Sequence, residues 1–220
     1  MLKSPRRIAL VAGLAIAAGT VPLLAQGSGP ALGTPDLSRV TAGTYQVDPE
    51  HTLVLFEVDH LGITPYFGIF GQVTGSLTLD PKNISAARGE FTIPISKVTT
   101  ASPGLNSHLL RGPKDANGKP DFFGPNPQNA RFVITGVTPD REDKNEAKIA
   151  GNLTLNGITR PVTLDAKFYG AGKAPPQMGG KENIGFEAEA KMKRSDFKID
   201  MGIPMVSDEV ELDIVAAFTK

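Results

Sequence analysis

Three histidines, His51, His60 and His108, are the first residues to weigh, because a neutral imidazole ligates metals and moves protons near neutral pH. Their spacing does not assemble a simple site. Nine positions separate His51 from His60, so on one unbroken strand the rings point to opposite faces, and only a bulge would reunite them. Imidazoles that tie down loops or strand ends, or that touch a ligand head group, are the other readings. Ser195 and Lys198 spell the Ser-x-x-Lys of penicillin-recognising enzymes. That chemistry needs a helix to bring lysine beside serine, together with companion motifs that are missing from this chain. A turn in which Arg194 and Asp196 pair or cap the start of a strand is the plainer alternative. Asp115, Asn117 and Asp121 stand at oxygen-ligand spacing around Gly118. A calcium loop calls for more carboxylates and a closing glutamate about twelve residues from the first ligand. No catalytic residue, metal ligand or cofactor site is assigned, and the absence of cysteine excludes thiol catalysis, disulfides and cysteine-ligated metals.

The elements that would position any site are strands. Val210, Leu212, Ile214, Ala216 and Phe218 share one register while Glu211 and Asp213 take the other. Successive side chains of a strand face opposite ways, so this alternation describes a strand wet on one side and dry on the other. Val54, Phe56, Val58 and His60 repeat the pattern, as do Phe91, Ile93 and Ile95. Phe132 and Ile134 stand opposite Arg131 and Thr135, and Val162, Leu164 and Phe168 stand opposite Thr163, Asp165 and Lys167. Ile184, Phe186 and Met192 face away from Glu187, Glu189 and Lys191. About eight such segments occur, and only His60 brings a titratable group onto a dry register. An apolar interior without acids or bases suits holding a greasy molecule better than cleaving one.

The first stretch is different. Lys3, Arg6 and Arg7 precede an apolar run from Ile8 to Leu24, and Ala25 offers a small residue for cleavage, the three-part plan of a secretory signal. Gly13, Gly19 and Pro22 weaken the rival reading, an uncleaved anchor of ~20 apolar residues. Residues 1–25 are therefore read as a signal peptide and residues 26–42, rich in Gly, Pro, Ser and Thr, as a flexible leader. Removing three cations from 23 leaves 20 against 23 acidic residues, a mildly acidic chain with no electrostatic footprint for nucleic acid. An exported, disulfide-free chain of this kind is expected in a bacterial periplasm.

Many strands and few helices predict an all-β fold, and closing the sheet would remove its exposed edges. Residues 96–127 interrupt the alternation: 102–110 can form a short helix, and the proline-rich stretch 112–127 is a long irregular insertion in which Phe122 and Phe123 could plug a barrel end. A second loop is expected from Gly170 to Asn183. Gly75, Gly136, Gly151, Ala166, Ala188, Ala190 and Ala216 fall on dry registers, which suggests an interior that is incompletely filled.

Tyr45, Asp48, Pro49, His51, Phe56, Val58, His60, Leu61 and Gly62, followed by Gly68, Phe70 and Gly75, resemble the opening of the YceI-like family. His108 with Leu109, the pair Phe122 and Phe123, and Phe132 are similar to its middle; Gly151, Leu153, Gly157, Thr159, Pro161 and Val162 to its late hairpin. Arg194, Ser195, Asp196 and Phe197 resemble its Arg-Ser-Asp-Phe element, so residues 43–220 are identified as one YceI-like β-barrel domain. The resemblance implies an extended lipocalin-like antiparallel β-barrel of about eight strands. It also implies a periplasmic, non-enzymatic carrier of a long apolar lipid, a polyisoprenoid or, from relatives fused to membrane cytochromes, an isoprenoid quinone. Asn106 and Ser107, and the longer stretch from Gly112 to Asp121, depart from the family near the expected mouth and bear on head-group preference.

On that reading Phe56, Val58, Phe91, Ile93 and Phe132 line the channel together with Leu164, Phe168, Phe186, Ile214 and Phe218, while His60, His108, Arg111 and Arg194 are the polar candidates near its mouth. A transient inner-membrane partner and a homodimer are left open. The competing readings are a stress-related interaction protein with a filled barrel and a histidine-dependent metal protein.

Overall fold

Alternating residues become strands almost wherever they occur. The computed structural model describes residues 32–116 and 118–220. Its strands are β1 (Gly43–Val47), β2 (Leu53–His60), β3 (Thr64–Phe70), β4 (Thr74–Leu79), β5 (Arg88–Ile93) and β6 (Thr99–Thr100), then β7 (Ala130–Pro139), β8 (Glu146–Leu155), β9 (Ile158–Lys173), β10 (Glu182–Lys193) and β11 (Glu209–Thr219). The expected signal segment and the leader up to residue 31 lie outside the described residues.

Every pairing is antiparallel, and three early courses are each bent into two pieces. β1 and β2 together run against β4 and β3, with Gln46 opposite Ser76 and Val54 opposite Phe70. β5 and β6 form the next course, against β4 and β3 in turn. From there the ring passes through β7, β8, β9, β10 and β11, and β11 closes it on β2 and β1. The product is the closed, eight-stranded, lipocalin-like antiparallel barrel that the family resemblance implies, where alternation alone allows either a sandwich or a barrel. Thr52 serves the bend between β1 and β2: its hydroxyl donates to Ala217 O (3.2 Å) and accepts from Ala217 N–H (3.0 Å), replacing a ladder partner lost at the kink. On the wet side Arg131 pairs with Glu90, Lys148 with Asp165 and Lys191 with Glu211, exposed contacts that mark the outer register more than they stabilise it.

The small inward residues do not all leave space. A Cβ on Gly151 would stand 2.2 Å from the Phe132 ring, and one on Gly68 2.3 Å from Phe56, so these glycines let rings lie flat on the neighbouring strand. Gly136 is not inward at all. A bulge in β7 between Ile134 and Gly136 turns both Ile134 and Val137 inside and leaves Gly136 on the outer surface, a correction to the alternation read from the sequence.

The leader expectation is also corrected from Leu32 onward. Thr34 exchanges two backbone hydrogen bonds with Ala171 (3.1 and 2.9 Å). Gly170 and Gly172 permit it, because a Cβ on either would lie 3.1 or 2.4 Å from the carbonyl oxygens of Thr34 and Leu32. β9 consequently extends to Lys173, which shortens the expected loop at 170–183 to residues 174–181. Val40 is buried in the core cluster of Tyr45, Val47, Leu77, Leu79 and Phe218 at this end of the barrel. A second cluster, with Leu155, Phe197 and Ile199, lies at the other end.

Tyr45 is fully buried, and its single hydroxyl proton is shared between Thr41 O (2.6 Å) and the Glu182 carboxylate. Glu182 also accepts from Thr41 N–H (2.8 Å) and the Thr41 hydroxyl (2.7 Å), while Lys220 Nζ sits 4.8 Å above the Tyr45 ring. Burial, with the Glu182 carboxylate beside it, pushes the phenol up to about 12. A raised phenol contributes stability that is whole below the unfolded value near 10 and disappears as pH climbs through about 12. Denaturant titrations across that window are expected to show this alkaline loss in the wild type. Tyr45→Phe should remove that component while lowering stability at neutral pH by about 1 kcal/mol for the lost hydrogen bonds.

Candidate functional site

Between the two core clusters the barrel encloses a cavity of about 920 Å³, near the upper end of the roughly 300–1,000 Å³ usual for small-molecule sites. It follows the strands, and ten-residue strands such as β7 and β8 rise about 33 Å, so the space is elongated. Phe56 and Val58 of β2, Phe91 and Ile93 of β5, and Phe132 of β7 border it. So do Leu164 and Phe168 of β9, Phe186 of β10, and Ile214 and Phe218 of β11. At the leader end Phe218 stands edge-on to both Phe91 and Phe186 (centroids 5.9 Å apart in each case), and Phe168 leans on Phe186 at 5.5 Å. At the opposite end Phe56, Phe70 and Phe123 form a second chain of rings, 5.5 and 6.1 Å between centroids.

Titratable groups reach this wall only at its ends. Lys144 and Glu146 belong to the β7–β8 turn; His60, Tyr66, His108 and Arg194 lie toward the other end, which we term the mouth. Among the described residues the rest of the lining carries no carboxylate, imidazole, lysine or arginine, which leaves little there to exchange a proton with a bound chain.

His108 lies on helix α1 (Pro103–Leu109), the helix expected at 102–110, whose first turn is capped by Ser102 Oγ accepting from Leu105 N–H (3.2 Å). Its Nε2 is 2.8 Å from an Asp121 oxygen, and its ring meets Phe122 edge-on at 5.1 Å. Asp121 also accepts from Arg111 Nη2 (3.1 Å), with Lys114 Nζ at 4.0 Å. The His108 hydrogen bond, helped by Arg111 and Lys114 against partial burial, holds the Asp121 carboxyl below the usual carboxylate range. Asp121 is thereby committed to fastening the insertion rather than to calcium, and Asn117 lies outside the described residues. The latch sets Phe122 and Phe123 against the cavity, where Phe123 N–H donates to Leu109 O (3.0 Å). Lys119 reaches Asp200 (3.0 Å), tying the insertion to the segment between β10 and β11.

The other histidines go elsewhere. His51 occupies the bend before β2, exposed, with Nδ1 2.8 Å from Asp48. His60 ends β2 on the rim and is bridged to Val206. Among the described residues no three His, Asp or Glu side chains converge as a metal site would require.

Arg194 borders the cavity, but its guanidinium is turned away from a head-group role. It is only 6% exposed, and Nε donates to Ser207 O (2.8 Å), Nη1 to Ile199 O and Met201 O (2.9 and 2.8 Å) and Nη2 to Val206 O (2.9 Å). Burial pulls its pKa below the ordinary value, partly opposed by Asp208 and Asp200. Asp208, not Asp196, completes the turn, accepting from Ser195 N–H (2.9 Å) and Ser195 Oγ (2.8 Å). Ser195 therefore answers to a carboxylate and not to Lys198, which stands in left-handed conformation at φ 60°. No local spacing rule could have found a partner thirteen positions away. Tyr66 and Phe70 also border the cavity and escaped the sequence reading, because Thr64, Pro65 and Gly68 blur the alternation of β3.

Arg194→Met would strand four loop carbonyls, and a loss on the order of 3–5 kcal/mol is expected in urea unfolding. The contribution of Asp121 carries the opposite pH sign to that of Tyr45. It is present above the unfolded carboxylate value of about 3.9 and lost as pH falls through the lower folded value. Asp121→Asn is expected to flatten the acid limb of the stability profile.

The domain model described as YceI-like matches residues 45–218, nearly the whole barrel. A protein named YceI from Salmonella arizonae is 41% identical over 175 residues, which is 79% of this chain and 85% of that protein. The crystal structure of BcnA from Burkholderia cenocepacia superposes with a TM-score of 0.63 at 21% identity, over 78% of this chain and 98% of that one. A polyisoprenoid binding domain from Saccharophagus degradans superposes with a TM-score of 0.51 at 12% identity, over 81% and 99% of the two chains. At those identities the two structures speak for the shared fold; the domain match and the Salmonella relative speak for descent, and by them the chain belongs to the YceI-like family.

Proposed function

We propose that this protein is a periplasmic carrier that holds one long apolar lipid, a polyisoprenoid or an isoprenoid quinone, along the barrel axis without changing it chemically. The observation that carries the reading is the elongated 920 Å³ cavity whose wall is overwhelmingly apolar and whose charged groups stand toward its ends. Burying a methylene is worth ~0.8 kcal/mol, so a tail gains affinity continuously along such a wall. The Saccharophagus domain with the same fold is named for polyisoprenoid binding, which agrees with this choice of cargo. The cationic amino terminus and apolar run support export. The enclosed space counts against the rival reading of a filled barrel. The groups left to meet a head group are His60, together with His108 and Arg111 beyond their bonds to Asp121; Arg194 is committed to the loop.

Native mass spectrometry of protein purified from its own periplasm, followed by organic extraction, is expected to reveal one prenyl chain per barrel. For a synthetic prenyl series, Kd should fall by about fourfold for each methylene buried and level off once the cavity is full. Ala188→Phe, which projects a ring into the cavity wall, should weaken long chains by about tenfold or more while the fold is retained. Equal affinity for short and long chains, with no lipid extracted, would sink the reading.

A further inference from the structure

At the tip of the β2–β3 hairpin Leu61 and Gly62 both take left-handed backbone, φ 67° and 65°, and Ile63 N–H closes the turn on His60 O at 3.2 Å. Two positive φ values in succession are the pattern of a type I′ turn, which glycine, asparagine or aspartate adopts with least strain. A leucine there meets a steric penalty that a polar residue would avoid. It gains no burial in return, for Leu61 is 50% exposed and Ile63 beside it 79% exposed. Both local choices run against folding, and neither is repaid within the barrel.

The tip is also held rigid. Asp59 Oδ1 accepts from Gly62 N–H, Leu61 N–H donates to Met205 O (2.7 Å), and Ser207 N–H donates to Asp59 O (2.9 Å). These bonds fasten the hairpin to the loop between β10 and β11, which presents Met205 at 62% exposure and also borders the cavity. Phe67, 50% exposed on β3, lies farther along the same hairpin, opposite Glu57. Leu61, Ile63 and Met205 thus stand beside the mouth of the cavity, next to His60 and Val206 of the cavity wall.

The geometry points to a bilayer-docking rim: the hairpin tip and the Met205 loop insert shallowly into a membrane surface and bring the cavity mouth against the lipid phase. This inference rests on the carrier reading, since a long prenyl chain cannot leave through water at the cost of rehydrating each methylene and must pass into another apolar medium. A bilayer fits the patch better than a protein partner does. The tip is a two-residue turn whose exposed side chains, Leu61 and Ile63, are aliphatic, with no Trp, Tyr or Arg among residues 61–63 to act as an anchor, whereas a fluid hydrocarbon boundary needs no complementary shape.

The test uses the barrel unit, Ala31–Lys220, which contains every strand of the described residues and both core clusters. The apolar run Ile8–Leu24 would partition into lipid by itself and is left out for that reason. Co-flotation with vesicles of phosphatidylethanolamine and phosphatidylglycerol is expected for this unit and should persist at high salt, because the contact is apolar. Leu61→Asn and Ile63→Asp should each lower the vesicle-bound fraction by about tenfold, and Leu61→Asn should do so without any loss of folding stability, since asparagine accepts the left-handed turn. Met178→Asp, equally exposed but at the leader end, should float like the wild type. A wild type that stays off vesicles, or tip variants that float as well as it does, overturns the docking rim, including the case in which the tip serves a protein partner. Prenyl affinity of the same variants in vesicle-free solution is measured alongside. Neither substituted side chain borders the cavity, so retained affinity with lost flotation isolates docking, and absent affinity in every protein condemns the carrier reading instead.

Discussion

The ladder that joins β11 to the bent course of β1 and β2 is the constraint on which the rest of the molecule depends. Glu211 to Val215 pair with β2, and the end of the same strand pairs with β1, so one strand closes the ring across a kink. Closure gives the barrel courses neighbours on both sides, except where β6 and the first half of β3 pair on one side only, and divides the alternating residues into an inside and an outside. Once that division exists, strand length fixes the length of the dry space, and bulges decide which individual residues are inside. Thr52 matters beyond its size because its hydroxyl keeps the ladder satisfied at the point where the closing course bends.

The two ends of the ring are finished differently, and the difference gives the cavity a direction. At one end a leader segment is laid across Gly170 and Gly172 and clasped through Tyr45, Thr41, Glu182 and Lys220, over a cluster of four phenylalanine rings. That end is packed and hydrogen-bonded. At the other, a helix and an irregular insertion are held by the contacts of Asp121 with His108 and Arg111, while the loop opposite is organised around the Arg194 guanidinium. Burying an arginine is tolerable there because four carbonyls that would otherwise lack donors accept from it. Polar chemistry in this protein thus serves to shape the openings of an apolar space.

Much of the architecture was legible in the chain. Residues such as Val210 to Phe218 announce their dry face, because the pleat of a strand is local geometry with a period of two. β3 was overlooked because Pro65 and Gly68 interrupt its pattern, and Gly136 was assigned to the wrong face because a bulge shifts register without changing composition. The leader was read as flexible from its glycines, prolines and serines. What orders it is a pair of glycines more than a hundred residues downstream, a contact that no window of sequence contains. Register put the candidate wall residues on the dry face and the family resemblance made that face a channel wall; the structure has all ten border one cavity. The role of Arg194 was not found, since its partners lie on a loop with no periodicity.

By itself, then, the sequence determined that this is an all-β chain whose dry registers carry one titratable group, His60, because alternation and residue chemistry are properties of neighbours along the chain. Tertiary structure decided that the sheet closes, that the enclosed space stays open, and that Asp208 rather than Asp196 completes the Arg194 turn. It also decided that a strained leucine stands exposed beside the mouth. Each of these depends on which distant backbone segments meet, and such meetings are settled by the summed ladder and packing of the whole barrel and not by any local run of residues.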